Sequence, residues 1–298
     1  MRSGFTANDV AIQTGRRFLV TGANAGIGFE VAKVLAARGA HVVLACRDAE
    51  RAETAMQRIV DEFPAADLSF QPLDLADLDQ LRAAARAVLA GPRLDVLVNN
   101  AGVMIPPRTL TKQGYELQFG VNHLGTFAFT GLIHGHVDDR IVVTGSIAHK
   151  GGTMDYSDIG ANRSYHNWHR YQTSKLANLL FMFELDRRLS ASGRATQAIG
   201  CHPGVALTEL TRHLPFPLRT MTPLATPFFN SAAQGAWPTL QAATGANVQG
   251  GDYLGPQGLG EISGRSGPAR ATGTARDPKL GRELWRRSVE LTGVDPGL

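Results

Sequence analysis

The sequence alternates short apolar runs with longer amphipathic segments along nearly its whole length. The apolar runs predict strands at 17–22, 40–46, 68–75, 94–102, 140–146, 196–204 and 251–255. The intervening segments predict helices at 26–38, 49–62, 78–90, 113–133, 168–191, 232–243 and 277–291. Strands that are apolar on both faces and separated by helices form parallel sheets covered on each side. We therefore expect one α/β domain over residues 1–298, a doubly wound Rossmann-type sheet of about seven strands in the order 3-2-1-4-5-6-7.

Two long segments interrupt this alternation, at 147–167 and 205–231. Both follow the carboxyl end of a predicted strand, where ligands bind in open α/β sheets. The second predicts a substrate loop or lid, because long connections in compact domains are usually functional or disordered. Its apolar residues either line a lipophilic pocket or seat the segment on the body. They are Leu210, Leu214, Phe216, Leu218, Met221, Phe228 and Phe229.

Composition narrows the classes of protein that this chain can be. The formal net charge is +4, but the basic residues are scattered and form no block with interleaved aromatics, so nucleic acid is not an expected partner. The two cysteines, Cys46 and Cys201, lie in apolar runs, which favours buried free thiols and a reducing compartment. We find neither a signal-peptide pattern nor an apolar run of about 18 residues. The sequence predicts a soluble cytoplasmic protein without a transmembrane segment.

The stretch TGANAGIG closes the first predicted strand and opens the first predicted helix. Gly22, Gly26 and Gly28 would let the turn tighten and bring the backbone close to a pyrophosphate at the helix start. The pattern is G-x-x-x-G-x-G, not the common G-x-G-x-x-G fingerprint. A glycine-rich turn also occurs without a ligand, but its place in a strand–helix–strand unit favours a nucleotide site.

The second predicted strand ends in ACRD. Cys46 stands where an NAD enzyme would hold the ribose 2′-hydroxyl with Asp or Glu, and Arg47 can pair with a 2′-phosphate, which predicts NADP(H) rather than NAD(H). The alternative is a solvated surface arginine with Asp48 capping the next helix. Asp74 could accept a hydrogen bond from the adenine amino group or cap a helix, for which Asp77 is better placed.

The fourth predicted strand ends in NNAG, residues 99–102. The small Ala101 and Gly102 would let the backbone approach a ribose. Asparagine and glycine are also common in ordinary turns. This motif therefore supports a nucleotide site only together with the others.

The stretch WHRYQTSKLAN places Tyr171 and Lys175 on one face of a predicted helix. A neighbouring ammonium stabilises a phenolate and would bring the tyrosine pKa down from about 10. Lys175 could also bind the ribose hydroxyls of a nicotinamide nucleotide. Ser146, at the end of the fifth strand, could hydrogen-bond the substrate oxygen, or it could be a turn serine. The amide of Asn122 could hold a water that links Lys175 to solvent, or it could only pack a helix.

The motifs TGANAGIG, NNAG, VNHLG, YQTSK and HPG, in this order, resemble those of the short-chain dehydrogenase/reductase family over about residues 15–292. ACRD, NHLGTF and SKLANLLF are most similar to the retinol-dehydrogenase and WW-domain-oxidoreductase-like branch. The resemblance implies a catalytic tetrad of Asn122, Ser146, Tyr171 and Lys175. It implies NADP(H) and a lipophilic carbonyl or alcohol substrate. Further cofactor-binding positions that it implies are Asn24, Ile27, Leu75, Asn99, Asn100, Pro203, Gly204, Val205 and Thr208.

The sequence therefore predicts an NADP(H)-dependent oxidoreductase that transfers hydride between nicotinamide and a carbonyl or alcohol, as a homodimer or homotetramer. The alternative is a non-catalytic NADP(H)-binding regulator or scaffold, which would need Arg47 but not Tyr171. Tyr165 is a rival catalytic tyrosine, but its neighbour four residues on is His169. No metal site is expected, since the histidine pairs at 134 and 136 and at 166 and 169 lack acidic or cysteine partners at ligand spacing.

Overall fold

A computed structural model describes residues 4–205 and 229–298. Within these ranges, eight strands form one sheet in the order β3-β2-β1-β4-β5-β6-β7-β8. The strands are β1 Arg17–Thr21, β2 His41–Cys46, β3 Asp67–Pro72, β4 Leu94–Asn99, β5 Val137–Thr144, β6 Gln197–Cys201, β7 Tyr253–Pro256 and β8 Ser266–Pro268. The first seven are parallel, so the predicted doubly wound sheet and its strand order are confirmed.

The eighth strand, Ser266–Pro268, was not predicted. Its three residues carry no apolar alternation, so only tertiary pairing reveals it. It runs antiparallel to β7. On its other side, the amides of Phe5 and Ser266 exchange backbone hydrogen bonds of 2.8 and 2.9 Å.

Several predicted strands ran too far at their carboxyl ends. The predictions at 68–75, 94–102, 140–146 and 196–204 included turn residues that lie beyond the last paired position. In the structure these strands end at Pro72, Asn99, Thr144 and Cys201. The motif residues after them therefore lie in loops at one edge of the sheet, which is where open α/β sheets bind ligands.

Most helices begin and end close to their predicted bounds, but the helix predicted at 232–243 is divided into two at Ala236. They are α1 Gly26–Ala37, α2 Ala49–Glu62, α3 Leu78–Ala90, α4 Leu117–Phe119, α5 Thr126–Ile133, α6 Asn167–Ala191, α7 Ala232–Gly235, α8 Trp237–Thr244 and α9 Pro278–Thr292. Asp48, Asp77 and Asp277 accept backbone N–H bonds at the N-termini of α2, α3 and α9. These aspartates satisfy donors that a helix start leaves without partners.

The single helix predicted at 113–133 is wrong in both its start and its regularity. Helix formation begins only at Leu117, after Glu116 accepts hydrogen bonds from the amides of Gln118 and Phe119. Between α4 and α5, residues Gly120–Gly125 form a π-helical segment. A Cβ at Gly125 would lie 2.4 Å from the Leu75 carbonyl oxygen, so this segment packs directly on the loop after β3. Widened helical turns of this kind often accompany functional sites.

Apolar side chains cover both faces of the sheet. Along β1, Phe18 and Val20 join a buried cluster with α1 and α8, and Leu19 joins a second cluster on the opposite face. That second cluster includes Phe127 on α5, whose ring lies 5.2 Å edge-on from Trp285 of α9. Each such side chain contributes about 1.5–3 kcal/mol when fully buried. The sheet is therefore buried on both faces, as parallel strands connected by helices require.

Part of the predicted lid at 205–231 lies outside the described residues, namely 206–228. The predicted cofactor residue Thr208 also lies outside the described residues. So do most of the apolar residues of the predicted lid: Leu210, Leu214, Phe216, Leu218, Met221 and Phe228. Among the described residues that flank 206–228, the amide of Asn230 donates to the carbonyl of Val205 at 3.1 Å. No helix in the described ranges is both long and apolar enough to cross a bilayer.

Candidate active site

The glycine-rich turn between β1 and α1 leaves a shallow backbone cradle. Gly22 and Gly26 have φ angles of +67° and +58°, which side chains rarely tolerate. A Cβ at Gly28 would lie 2.4 Å from both the Gly22 carbonyl oxygen and the Asn100 Nδ2. The residue before α1 is Ala25, which offers no side-chain cap. The first amides of α1 are therefore available to a ligand, and a helix start of this kind favours an anion.

Arg47 lies where β2 passes into α2, exposed and lining the same cavity as the glycine turn. The Asp48 carboxylate caps α2 by accepting from the Arg51 amide at 3.1 Å and also pairs with the Arg51 guanidinium at 3.2 Å. Both the cavity position of Arg47 and the predicted Asp48 cap are thus present. Burial raises the pKa of the Cys46 thiol to about 11, so no anion forms there beside Arg47 at neutral pH.

The NNAG turn is fastened to β1 by Thr21. The Thr21 hydroxyl accepts from the amides of Asn100 and Ala101 at 3.0 and 2.9 Å, and the Asn100 side chain donates to the Thr21 carbonyl at 3.0 Å. Asn100 therefore lies in the cavity wall. Asn99 does not, because successive strand residues face opposite ways. Its buried amide donates to Thr130 at 2.9 Å, which corrects the implied contact of Asn99 with a ribose.

Asp74 and Leu75 line the cavity after β3. The Asp74 carboxylate accepts from the Ala76 amide at 2.8 Å and stabilises a local turn. The cap of α3 is Asp77, as predicted, accepting from two backbone amides. Asp74 is therefore not the cap of α3, although it is one of the residues that line the cavity.

The turn after β6 carries the HPG motif. His202 is fully buried, and its Nδ1 accepts from the Gly204 amide at 3.2 Å. Its Nε2 lies 3.4 Å from the Glu261 carboxylate. A Cβ at Gly204, where φ is +73°, would lie 2.2 Å from the Ile262 carbonyl oxygen. Pro203, Gly204 and Val205 all line the cavity.

Ser146, Tyr171 and Lys175 converge at the other end of this cavity. Ser146 follows β5 and begins a short 3-10 turn, with its hydroxyl accepting from the Ala148 amide at 3.1 Å. Because that bond uses a lone pair, the hydroxyl proton can be donated to the Tyr171 oxygen or to a ligand. The Lys175 Nζ donates to the Thr144 carbonyl at 3.1 Å and lies 5.8 Å from the centroid of the Tyr171 ring.

Asn122 lies in the π-helical segment behind these residues, fully buried. Its Oδ1 accepts from the Val103 amide at 2.7 Å, and its Nδ2 donates to the Val103 carbonyl at 2.9 Å and to the Ser174 hydroxyl at 3.0 Å. A Cβ at Gly102 would lie 3.2 Å from Asn122 Oδ1 and 3.5 Å from Lys175 Nζ. The amide donors are thus committed to the protein, and the predicted water held by this amide is not supported.

One cavity of about 980 Å³ connects the glycine turn to the tyrosine. Every predicted cofactor position in the described ranges except Asn99 lines it. They are Gly22, Asn24, Gly26, Ile27, Gly28, Arg47, Asp74, Leu75, Asn100, Ala101, Gly102, Tyr171, Lys175, Pro203, Gly204 and Val205. Its volume is at the upper end of the range for small-molecule sites, which suits a ligand as large as a dinucleotide.

Comparison with known protein families identifies the family of this chain. The model of the short chain dehydrogenase family matches residues 16–216 of the chain. This chain belongs to the short-chain dehydrogenase family. It is 38% identical over 287 residues to retinol dehydrogenase 12 of Mus musculus, covering 94% of this chain and 87% of that relative. It is also 38% identical over 309 residues to polyprenol dehydrogenase of Mus musculus, covering 100% and 90%.

Solved structures agree with this assignment. A protein from Mycobacterium paratuberculosis superposes with a TM-score of 0.84 at 35% identity, covering 99% of this chain and 100% of the other. A short chain dehydrogenase from Burkholderia cenocepacia, in complex with NADP, superposes with a TM-score of 0.63 at 25% identity, covering 81% and 96%. As a short-chain dehydrogenase of the retinol-dehydrogenase-like branch, the protein is an oxidoreductase of alcohol and carbonyl groups, in a family that binds a nicotinamide cofactor.

The ionisation of the tyrosine in this short-chain dehydrogenase differs from the expectation. Burial raises the pKa of Tyr171 above its ordinary value of 10, and a hydrogen bond with Ser146 offsets only part of this. Burial also lowers the pKa of Lys175 to about 8. The ammonium is directed at the Thr144 carbonyl rather than at the phenol, so in the protein alone it does not lower the tyrosine pKa. Helical spacing predicted that Tyr171 and Lys175 lie on one helix beside one cavity, as they do, but it did not predict their electrostatics.

Sequence reasoning missed the apolar wall next to Tyr171. Three of its residues follow β4. Trp168, at the start of α6, is 47% exposed, and its ring centroid lies 5.9 Å from that of Tyr171. The only advance signal was the apolar GVMI stretch directly after NNAG. The wall consists of Val103, Met104, Ile105, Leu117, Val121, Ile147 and Trp168.

Ile105 has an unusual backbone conformation in this wall. Its φ is +54°, which is rare for a β-branched residue. The Ile105 amide donates to the Gln118 side chain at 2.9 Å, and Gln118 in turn donates to the Asn167 carbonyl at 2.9 Å. The next carbonyl, of Pro106, accepts from the Tyr165 hydroxyl at 2.7 Å. The loop is thereby tied to the start of α6, and Tyr165 is part of the tie rather than of the cavity wall.

The histidine pairs lie in other settings. The Nε2 of His134 donates to the Pro296 carbonyl at 2.9 Å, and the Nε2 of His136 donates to the Gly91 carbonyl at 3.1 Å. His169 hydrogen-bonds the Thr153 hydroxyl at 3.1 Å. Across residues 4–205 and 229–298, no group of three or more His, Cys, Asp or Glu is arranged to hold a metal ion.

Proposed function

We propose that the protein is an NADP(H)-dependent oxidoreductase that transfers hydride between nicotinamide and a lipophilic carbonyl or alcohol. One observation carries the proposal: a single cavity extends from Arg47 to the Ser146, Tyr171 and Lys175 cluster. A dinucleotide with its phosphates at the helix start would bring its other end to the tyrosine. The non-catalytic alternative leaves the convergence of these three side chains without a purpose.

The residues at the phosphate end fit the cofactor. The glycine cradle admits no Cβ at Gly28, and the start of α1 carries no side-chain cap, so the backbone amides can receive a pyrophosphate. The exposed guanidinium of Arg47 offers a charged donor to a 2′-phosphate. No carboxylate stands at Cys46 to receive a 2′-hydroxyl, which supports NADP(H) over NAD(H). The relative solved as an NADP complex agrees with this choice.

The residues at the chemical end fit proton transfer to a substrate oxygen. A bound nicotinamide supplies or accepts the hydride. In reduction, Tyr171 donates its proton to the substrate oxygen, and the raised pKa keeps that proton in place until the oxygen becomes basic. The Ser146 hydroxyl accepts from the Ala148 amide and donates its proton to the same substrate oxygen, which stabilises the charge that develops there. The Lys175 ammonium returns a proton toward Tyr171, which its pKa of about 8 makes feasible near neutral pH.

Asn122 has a different part in this proposal from the one predicted. Its amide connects the loop after NNAG, through Val103, to the Ser174 hydroxyl on α6. Ser174 precedes Lys175, so the clamp sets the distance between the loop and the lysine. We propose that Asn122 positions Lys175 rather than holding water through its side chain.

The apolar wall supports a lipophilic substrate. Seven apolar side chains line the cavity near Tyr171, and a partly exposed tryptophan stands among them. Apolar surface of this kind favours apolar ligands by about 25 cal/mol per Å² removed from water. The relatives named after retinol and polyprenol, which are apolar alcohols, point the same way.

Location and assembly extend the same proposal. We propose a cytoplasmic protein, because both cysteines are buried and free, as in a reducing compartment. A homodimer or homotetramer remains the expected assembly, which sedimentation equilibrium measures directly.

A cofactor and substrate panel tests the function. We expect NADPH oxidation with medium- to long-chain aldehydes and ketones, little turnover with NADH, and rising kcat/KM with chain length. NADPH binding, followed by fluorescence, is measured in parallel. Tight NADPH binding without turnover of any alcohol, aldehyde or ketone would favour the regulator or scaffold instead. Equal use of both cofactors would remove the assigned role of Arg47.

A further inference from the structure

His149 lies three residues beyond Ser146, in the 3-10 turn Ile147–Gly151. Its side chain is 1% exposed, although the turn itself borders the cavity. The His149 Nδ1 lies 2.6 Å from the Ser146 carbonyl oxygen. On the far side, the Thr272 amide donates to His149 Nε2 at 3.3 Å. One buried ring thus connects the Ser146 turn to the segment before α9.

These two partners fix the protonation of the ring. A carbonyl oxygen only accepts, so His149 Nδ1 must carry the proton and donate it. A backbone amide only donates, so Nε2 must be unprotonated. The ring is therefore neutral and in the Nδ1–H tautomer, and burial, which lowers the pKa of His149, maintains that state. Neither nitrogen is free to exchange roles with the other.

The Ser146 turn receives two hydrogen bonds on one atom. The Ser146 carbonyl accepts from the His149 amide at 3.1 Å as well as from the His149 ring. The hydrogen bond from the His149 amide belongs to the turn itself. The hydrogen bond from the His149 ring is supported from outside the turn, because the Thr272 amide holds the other side of the ring. The ring also stands edge-on to Tyr253, with centroids 5.8 Å apart at 89°. Rotation of the Ser146 peptide would break both bonds to its carbonyl, and of their two donors only the His149 ring is itself held by another part of the chain.

We propose that His149 is a positioning residue for Ser146. Its Nδ1–H holds the Ser146 carbonyl, and thereby directs the Ser146 hydroxyl at the substrate oxygen. The inference rests on the proposed function, because it assumes that the hydroxyl contacts that oxygen. A displaced hydroxyl would bind the developing charge less well while leaving the cofactor end of the cavity unchanged.

Two substitutions separate the two ring nitrogens. In His149→Asn, the amide nitrogen can occupy the place of Nδ1 and keep the bond to Ser146, but the Thr272 amide loses its acceptor. In His149→Gln, the side chain reaches the place of Nε2 and can accept from Thr272, but the Ser146 carbonyl loses the donor. Each variant removes one buried hydrogen bond, so urea unfolding should show a comparable loss of stability in both.

Turnover should distinguish the variants although stability does not. We expect kcat of His149→Asn to stay within about twofold of wild type, and kcat of His149→Gln to fall about tenfold. NADPH affinity should be unchanged in both. Equal losses of kcat in the two variants, or no loss in either, would show that His149 only fills the core and would overturn the inference.

Ser146→Ala separates this inference from the proposed function. If Ser146→Ala leaves kcat unchanged, the assigned role of Ser146 is wrong and the positioning role fails with it. If Ser146→Ala lowers kcat, adding His149→Gln to it should cost nothing further, because the hydroxyl to be positioned is gone. A full additional tenfold loss in the double variant would mean that His149 acts by another route.

A spectroscopic readout is independent of turnover. Nitrogen NMR of protein labelled at histidine should show a signal of the neutral Nδ1–H tautomer that disappears in His149→Asn. We expect this signal without cofactor or substrate. Assignment of the His149 signal to the Nε2–H tautomer would overturn the inference, because that form cannot donate to Ser146.

Discussion

The two ends of the cavity are built in different ways. The phosphate end comes from one continuous stretch, 21–51, and consists of a glycine turn, a helix start and an exposed arginine. The chemical end is assembled from β5, α6 and the π-helical segment, and its lysine and asparagine are buried. Backbone groups can bind an anion as soon as the local turn forms. Side chains that transfer protons acquire their properties only from distant neighbours.

This difference separates binding from chemistry. Substitutions at the phosphate end should alter cofactor affinity and choice, and substitutions at the chemical end should alter turnover. If a substitution at one end changed both cofactor affinity and turnover, the two ends would be energetically coupled.

The largest expected effect is that of Tyr171→Phe. Loss of the proton donor should lower kcat by about a hundredfold or more, with NADPH affinity within about twofold of wild type. Tyr165→Phe is the matched control, because its hydroxyl donates to the Pro106 carbonyl and not into the cavity. Steady-state kinetics and NADPH titration measure both variants. Full turnover in Tyr171→Phe would remove the tyrosine from the mechanism.

Arg47→Ala should weaken NADPH binding by about tenfold to a hundredfold, the usual value of a charged hydrogen bond to phosphate, and leave NADH nearly unchanged. Arg51→Ala is the neighbouring control, since Arg51 also lines the cavity but pairs with Asp48. We expect a smaller loss there. Fluorescence titration of both cofactors measures the ratio. Equal losses for NADPH and NADH would place the 2′-phosphate elsewhere.

Gly28→Ala should weaken both cofactors about equally, by roughly tenfold, because the added Cβ would lie 2.4 Å from the Gly22 carbonyl and displace the cradle. The free energy of unfolding should fall by about 1–3 kcal/mol. In the control Gly273→Ala, the new Cβ has no atom within 4 Å, so neither property should change. Urea unfolding and cofactor titration measure the pair. An unchanged affinity in Gly28→Ala would argue against phosphate binding at this turn.

The smallest effect concerns the strained wall residue. Ile105→Gly should be more stable than Ile105→Ala by about 1 kcal/mol, because alanine retains the cost of a positive φ and glycine does not. Both variants should lose kcat/KM for long-chain substrates relative to wild type, with short-chain substrates less affected. Thermal unfolding and a chain-length series measure this. An alanine variant as stable as the glycine variant would mean that the loop relaxes out of the strained conformation.

The sequence predicted the sheet order and the cavity residues because both follow from local patterns. Alternating apolar runs define β1 to β7, and the glycine, NNAG and HPG turns follow strands whose ends share one edge. It did not predict β8, the π-helical segment or the strained Ile105. These depend on pairing, close packing and hydrogen bonds between segments far apart in the chain, which no local period encodes.

The protonation states of the residues at the chemical end were the hardest property to predict from the sequence. The spacing of Tyr171 and Lys175 places them on one face of α6, but the direction of each pKa depends on burial and on the Thr144 carbonyl. The commitment of the Asn122 amide to Val103 and Ser174 was equally invisible. Motifs identify the residues of such a site, and the surrounding fold determines what those residues do.

The buried ammonium of Lys175 should make ligand binding in the cavity depend on pH. With a pKa of about 8 in the ligand-free protein, this side chain is neutral in a substantial fraction of molecules in mildly alkaline buffer. A ligand whose hydroxyls accept from Nζ favours the charged form and raises that pKa. Binding should then draw a proton from the buffer, an uptake that calorimetry in buffers of different ionisation enthalpy would record, and affinity should decline as the medium becomes more alkaline.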